Sequence, residues 1–239
     1  MTHFHCLHGA WHGGWVWVRL QEGLQKLGHT VTAPDLPGLG EHAGELSAAT
    51  AEAINLESHY SAANPEARCV IVAHSYAGML ARLIADRFPD KVSHLVLIEA
   101  LWPDDGQCAL DLVSAEARFA IEASIRTEGQ GVVIPPPAAE QFHITNAELR
   151  QQVSARLTPQ PANTFRDVVK LQGAEPIGTY LISTDREPQP YADTATRLEA
   201  RGWHIVKSSG GHALMLTQPD FLIRLLHELS QKEPLCDVN

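Results

Sequence analysis

Apolar positions along the chain alternate between two spacings. Short runs of two to six apolar residues, strand-like, are separated by longer stretches with apolar positions three or four residues apart, the period of an amphipathic helix. Phe4 to His8 reads as a strand and runs into a Gly-rich loop, Gly9 to Gly14. Trp15 to Leu27 follows as a helix, with Trp17, Leu20, Leu24 and Leu27 on one face and Gly28 as its stop. Val31 to Ala33 is a second strand, closed by Pro34 and a turn-rich loop, Asp35 to Gly40. Ala48 to Ala63 has a helical pattern. Cys69-Val-Ile-Val-Ala73 is an unbroken apolar run, as expected of a strand covered on both faces. A helix from Tyr76 to Phe88 and a strand from Val92 to Ala100 complete the first half. Strands alternating with helices of this length predict an α/β architecture, a mostly parallel, doubly wound sheet of about six strands.

The rhythm breaks at Pro103. Up to about Phe165 the pattern offers helices but no strand: Ser114 to Thr127, a rigid Pro135-Pro-Pro137, and a helix to about Leu157 opened by Thr145 and Glu148 as a capping box. Alternation resumes with a strand at Ile177 to Ser183, a helix at Tyr191 to Arg201, a strand at His204 to Lys207 and a helix at Gln218 to Leu229. Residues 1–239 therefore read as a single domain, with 103–165 inserted into it as a helical cap. The stretch from about Gln231 reads as a frayed tail.

Composition narrows the function classes. With 18 Lys and Arg against 28 Asp and Glu, the formal net charge is -10, and no basic cluster stands out, which argues against nucleic-acid binding. No run approaches the roughly 20 apolar residues that span a bilayer, and the N-terminus lacks the pattern of a secretory signal. A cytoplasmic enzyme is the expectation. Cys6, Cys69, Cys108 and Cys236 form no CxxC pair and no zinc-ligand spacing, so neither a metal nor a disulfide framework is expected.

The chemistry concentrates at Ala73-His-Ser-Tyr-Ala-Gly78, between an apolar strand and a helix. A serine with small residues two positions either side, in that setting, is the pattern of a nucleophile elbow: the hydroxyl must stand clear of the sheet on a strained backbone, and bulky neighbours would collide. Ser75 is thus the expected nucleophile, against the plainer reading of a serine that caps a helix. Among 13 histidines, His212 lies in a Gly-containing loop between the last strand and the last helix, and the chain order Ser, acid, His is that of α/β-hydrolases. For the acid, Asp185 at the end of its strand is preferred. Glu187 is two residues further on, and Glu99 or Asp104 stands after the preceding strand. Oxyanion donors should be the backbone amides of Tyr76, just after the nucleophile, and of Ala10, in the loop after the first strand. Trp11, Tyr76, Trp102 and Phe142 are candidates to line a substrate pocket, or else to pack in the core.

Leu7-His-Gly-Ala-Trp-His-Gly-Gly-Trp15, Leu27 to Asp35, the elbow, and Gly210-Gly-His-Ala-Leu-Met-Leu-Thr217 together resemble the plant methylesterase and hydroxynitrile lyase group of α/β-hydrolases and its bacterial esterase relatives. The resemblance covers most of the chain outside the cap. It implies the α/β-hydrolase fold and an acyl-enzyme mechanism that needs no cofactor. Lyases of the group carry Thr at the position of Gly9 and Lys directly after the catalytic histidine; Gly9 and Ala213 here imply esterase chemistry instead. Asp185 fits the group's acid with a small gap. The expected activity is hydrolysis of a small or medium carboxylic ester by Ser75, His212 and Asp185. The rivals are a hydroxynitrile lyase or other C–C bond-cleaving enzyme on the same scaffold, and a non-catalytic small-molecule receptor. The expected partner is the small-molecule ester, with neither nucleic acid nor membrane; a homodimer stays open.

Overall fold

The computed structural model describes residues 1–174, 176–185 and 191–231. In chain order the sheet domain begins β1 (His3–Leu7), α1 (Val18–Lys26), β2 (Thr30–Thr32), α2 (Ala48–Ala53), α3 (Leu56–Ala63), β3 (Cys69–His74), α4 (Gly78–Arg87) and β4 (Val92–Ile98). Between β4 and the next strand of the sheet lie α5 (Ala115–Thr127), β5 (Val133–Ile134), α6 (Ala147–Ser154), β6 (Gln160–Pro161) and α7 (Asn163–Arg166), in the segment expected to form the cap. The domain resumes with β7 (Thr179–Ser183), α8 (Ala192–Ala200), β8 (His204–Ser208), α9 (Leu214–Thr217) and α10 (Pro219–Gln231).

Six strands form one sheet in the order β2-β1-β3-β4-β7-β8, every pairing parallel. Successive strand residues point to opposite faces, so the apolar runs feed two cores. Ile71, Ala73, Leu95 and Leu97 join α3, α4 and α8 on one side. Phe4, Cys6, Val70, Val72, Val96 and Ile98 join α1, α9 and α10 on the other. Burial on both faces is why these strands read as continuous apolar runs. Cys6, Cys69 and Cys108 are free and buried, and burial pushes the Cys69 thiol up to about 12; Cys236 lies outside the described residues. Among those residues no helix is long and apolar enough to cross a membrane.

Strand order reverses between β1 and β3, the crevice where open α/β sheets place their ligand sites. Leu7 pairs with Ala73 and His74 pairs with Ile98. The loop after β1, the elbow after β3 and the residue after β4 therefore emerge side by side at one sheet edge.

Several local expectations are corrected. The helix expected over Ala48 to Ala63 is broken at Ile54, because the Asn55 side chain accepts the Ser58 amide and starts a fresh helix with a capping box. The cap helix is opened by Asn146 rather than Thr145: Asn146 Oδ1 accepts the Leu149 amide at 2.9 Å. The inserted segment also contains two strands, β5 and β6, paired antiparallel through Val133–Pro161 and Ile134–Gln160. At two residues each they are too short to leave a period.

Gly78 shows how tightly α4 is set against the strand exit. A Cβ there would lie 1.9 Å from the Leu101 carbonyl oxygen, and Leu101 in turn donates its amide to the Ser75 carbonyl at 2.9 Å. Gly78→Ala is expected to cost about 1–3 kcal/mol, the usual range for overpacking, read as a lowered urea midpoint with an unchanged m-value.

Candidate active site

Ser75 opens the 3₁₀ turn Ser75–Ala77 at the end of β3 with φ +54°. A non-glycine residue in this region is strained and persists only where its surroundings hold it. Its hydroxyl is not a helix cap; it sits 3.1 Å from His212 Nε2. His212 stands in the loop after β8, behind Gly210 and Gly211, both at positive φ. Its amide donates to Phe142 O at 3.2 Å, and its carbonyl accepts from His74 Nε2 at 3.0 Å. The Tyr191 ring stacks on its imidazole at 5.4 Å, 5° from parallel.

The carboxylate against this imidazole is Glu99. Glu99 Oε2 is 2.9 Å from His212 Nδ1, and Oε1 accepts the Ser183 amide at 2.9 Å. Glu99 follows β4 directly, has φ +41° and is fully buried. This corrects the expectation placed on Asp185, and sheet register gives the reason. Ser183 pairs with Ser208, so Asp185 emerges opposite Gly210, two residues short of His212. There Asp185 Oδ2 accepts the Gly210 amide at 2.7 Å. Asp104 is taken by Arg197 at 2.6 Å and Arg201 at 3.1 Å. Glu187 lies outside the described residues.

With Glu99 Oε2 as acceptor, Nδ1 carries the proton and Nε2 presents its lone pair to Ser75. Ser75, His212 and Glu99 thus form a continuous chain of two hydrogen bonds, the geometry of nucleophile, base and orienting acid.

These groups open on a cavity of about 770 Å³. Ala10, Trp11, Tyr76, Leu101, Phe142 and Phe165 contribute to its lining. Tyr76 stacks on Phe165 at 5.2 Å, which gives that wall an aromatic face. Trp11 and Phe142 are where the sequence suggested. Trp102 is not: it lies in the core, with Trp203 edge-on at 5.1 Å and the Arg82 guanidinium 5.4 Å from its ring centre. Its neighbour Leu101 takes the cavity wall instead. Among the described residues no group of three or more His, Cys, Asp or Glu could hold a metal ion.

A model for the Alpha/beta hydrolase family matches residues 6–225. The chain belongs to that family. The carbendazim hydrolyzing esterase of Nocardioides sp. (strain SG-4G) is 31% identical over 247 residues, covering 96% of this chain and 100% of that protein. Esterase PIR7B of Oryza sativa subsp. japonica is 28% identical over 96% of each chain. Methylesterase 10 of Arabidopsis thaliana is 26% identical over 97% of this chain and 93% of its own. The resemblance to plant methylesterases and bacterial esterases is therefore borne out. In fold, this hydrolase superposes on an extracellular α/β-hydrolase from a Paenibacillus species with a TM-score of 0.82 at 19% identity, covering 97% of this chain and 100% of the other.

The hydrolase packs further histidines around its reactive loops. His8, His12, His59 and His74 are buried. Burial pushes His12 and His59 down to about 3, and His74 well below its ordinary value, helped by the neighbouring imidazoles of His212 and His12. All are neutral at pH 7, while in the unfolded chain each titrates near 6.5. The unfolded state then binds more protons as the pH falls below about 6.5, so stability is complete above that value and is lost toward pH 3. Each such histidine contributes a slope of up to about 1.4 kcal/mol per pH unit in that window. Urea midpoints measured between about pH 7 and pH 4.5 should fall steeply, and replacing His59 by Gln should flatten the fall.

Proposed function

We propose that this chain is a serine-dependent carboxylic ester hydrolase, with Ser75 as nucleophile, His212 as general base and Glu99 as the acid that orients it. The observation carrying this reading is the hydrogen-bonded chain from Ser75 Oγ through the imidazole to a fully buried carboxylate, at the floor of an aromatic cavity. The esterase names of its relatives favour the same class.

Ser75 Oγ attacks the ester carbonyl carbon while its proton passes to His212 Nε2. The imidazolium that forms is stabilised by Glu99, whose carboxylate keeps its charge. The carbonyl oxygen becomes an oxyanion held by the amides of Ala10 and Tyr76, both at the cavity wall. The next amide, Trp11 N–H, is already committed to Gln160 Oε1, which favours Ala10 as the donor from this loop. His212 then protonates the leaving alcohol. Water, deprotonated by the same nitrogen, cleaves the acyl-enzyme and releases the acid. No cofactor enters this scheme. A small or medium ester suits the cavity volume.

Gly9 supports esterase over lyase chemistry. A Cβ at this position would lie 2.7 Å from His74 Nδ1 and 3.0 Å from Ser75 Cβ. The Thr that lyases of the group carry would have to displace His74.

Hydrolysis of a panel of p-nitrophenyl esters tests the reading. Ser75→Ala should abolish burst and turnover; retained turnover would exclude the mechanism. Glu99→Gln should lower kcat by roughly 10⁴-fold, the loss seen when the acid of such a triad is neutralised. Asp185→Asn should stay within about tenfold of wild type, since it removes the charge from an acceptor of a loop amide and leaves the imidazole its partner.

A further inference from the structure

Trp11 follows the expected oxyanion donor Ala10 and has φ +63°, a conformation a tryptophan holds only if its surroundings impose it. What imposes it comes from the cap. Trp11 N–H donates to Gln160 Oε1 at 3.2 Å, its carbonyl accepts the Thr158 amide at 2.9 Å, and its indole N–H donates to Ile134 O at 3.1 Å. Ile134 and Gln160 are partners on one rung of the β5–β6 pair. That rung grips Trp11 by both main chain and side chain, across about 150 residues of sequence.

Gln160 is fully buried and both ends of its amide are used. Nε2 donates to Thr164 Oγ1 at 2.7 Å, and that hydroxyl gives its own proton to Pro161 O at 2.6 Å. Thr164 can therefore only accept from Gln160, so the amide is locked with its oxygen toward Trp11. Thr164 also neighbours the Tyr76 hydroxyl. The peptide joining Ala10 to Trp11 is held at both its polar atoms: the N–H by Gln160, and the Ala10 carbonyl by His12 Nδ1 at 2.7 Å. The Ala10 N–H itself lies in the preceding peptide, whose Gly9 carbonyl accepts the His12 amide at 3.4 Å and lies 2.9 Å from His8 Nδ1; with the following peptide held by Gln160 and His12, both peptides flanking the Ala10 Cα are fixed, and with them the aim of the Ala10 N–H.

We propose that Gln160 is a positioning residue for the oxyanion hole: the cap holds the Trp11 amide through the Thr164-locked carboxamide and thereby aims the Ala10 N–H at the reacting carbonyl. The proposal rests on the acyl-enzyme reading above. It makes the cap a part of the catalytic geometry as well as a cover for the pocket. Because the Ala10 donor matters most when the oxyanion forms, loosening it lowers kcat and leaves ground-state binding almost untouched.

The test uses the full chain with p-nitrophenyl acetate, and a trifluoromethyl ketone as a mimic of the tetrahedral oxyanion. Gln160→Met keeps the shape and removes the acceptor. It should lower kcat by about tenfold or more, part of the 10²–10³ that follows removal of a whole oxyanion donor. KM should stay within about twofold, and the ketone's inhibition constant should rise in parallel with the loss in kcat. Gln160→Glu supplies a signature that a purely structural role would not. As a neutral acid it reproduces both bonds, accepting from Trp11 and donating to Thr164; as a carboxylate it faces Thr164 without a proton. Its activity relative to wild type should therefore be highest at low pH and fall as the pH rises. If Gln160→Met does not fold, Thr164→Val, which unlocks the carboxamide, carries the same kcat and ketone measurements. Unchanged kcat and ketone affinity, or a raised KM with unchanged kcat, would overturn the proposal. Ser75→Ala separates the two levels: turnover surviving in Ser75→Ala removes the acyl-enzyme reading itself. Turnover lost there but intact in the Gln160 variants removes only the role of Gln160.

Discussion

A carboxylate with no solvent exposure at the end of the central strand governs the layout of this molecule. Glu99 has left water entirely, and an ion in that position survives only if its oxygens are matched by donors. One oxygen is matched by the Ser183 amide of the next strand, the other by the His212 ring. The first bond joins β4 to β7; the second draws the loop after β8 back across the sheet edge until the imidazole reaches Ser75. Removing either donor would leave a buried charge short of a partner, so the positions of β7, the histidine loop and the elbow are tied together electrostatically. Asp185 completes the arrangement from outside by accepting the Gly210 amide at the start of the loop.

The opposite wall of the site is built from the inserted segment. Trp11, strained at positive φ, is tied to Ile134, Thr158 and Gln160, while Phe142 accepts the His212 amide. The inserted segment thus contacts both the loop after β1 and the loop that carries His212. Its aromatic residues Phe142 and Phe165 contribute to the cavity lining, and Gln160 and Thr158 hold the Trp11 main chain. Phe142 does both: its ring lines the cavity while its carbonyl accepts the His212 amide.

The sheet was legible because its strands are buried on both faces, and a run as short as Cys69 to Ala73, followed by the elbow and a helix, fits a strand. The elbow and His212 were legible because their chemistry needs small residues at fixed places. The acid was less so. Asp185 and Glu99 both follow strands, and choosing between them requires the register Ser183–Ser208, which no spacing within one strand reveals. A signal for Glu99 did exist: it is the one charge in an otherwise apolar run from Leu95 to Trp102, and a charge so placed needs a partner. Trp102 stood open between pocket and core, and its place in the core depends on Trp203 and Arg82, partners distant in sequence that no local spacing reveals. The β5–β6 pair leaves no mark in the sequence because two residues establish no alternation, and Gln160 leaves none because a lone glutamine carries no motif.

The two carboxylates near the histidine loop differ in what their environment lets them do. Asp185 is exposed and accepts the Gly210 amide and the Thr184 hydroxyl, and water screens its charge from the imidazole. Glu99 is dry, so its field acts on His212 through a medium of low polarisability, where the same charge at hydrogen-bond distance has far more effect on an imidazolium. In the proposed mechanism, positive charge appears on the ring 2.9 Å from Glu99 Oε2 as Ser75 gives up its proton. A buried, pre-oriented carboxylate meets that charge without reorganising, whereas a solvated one would first have to shed water. The folding cost of burying Glu99 and the stabilisation proposed for the transition state are thus two consequences of one placement, at the first position beyond the central strand β4.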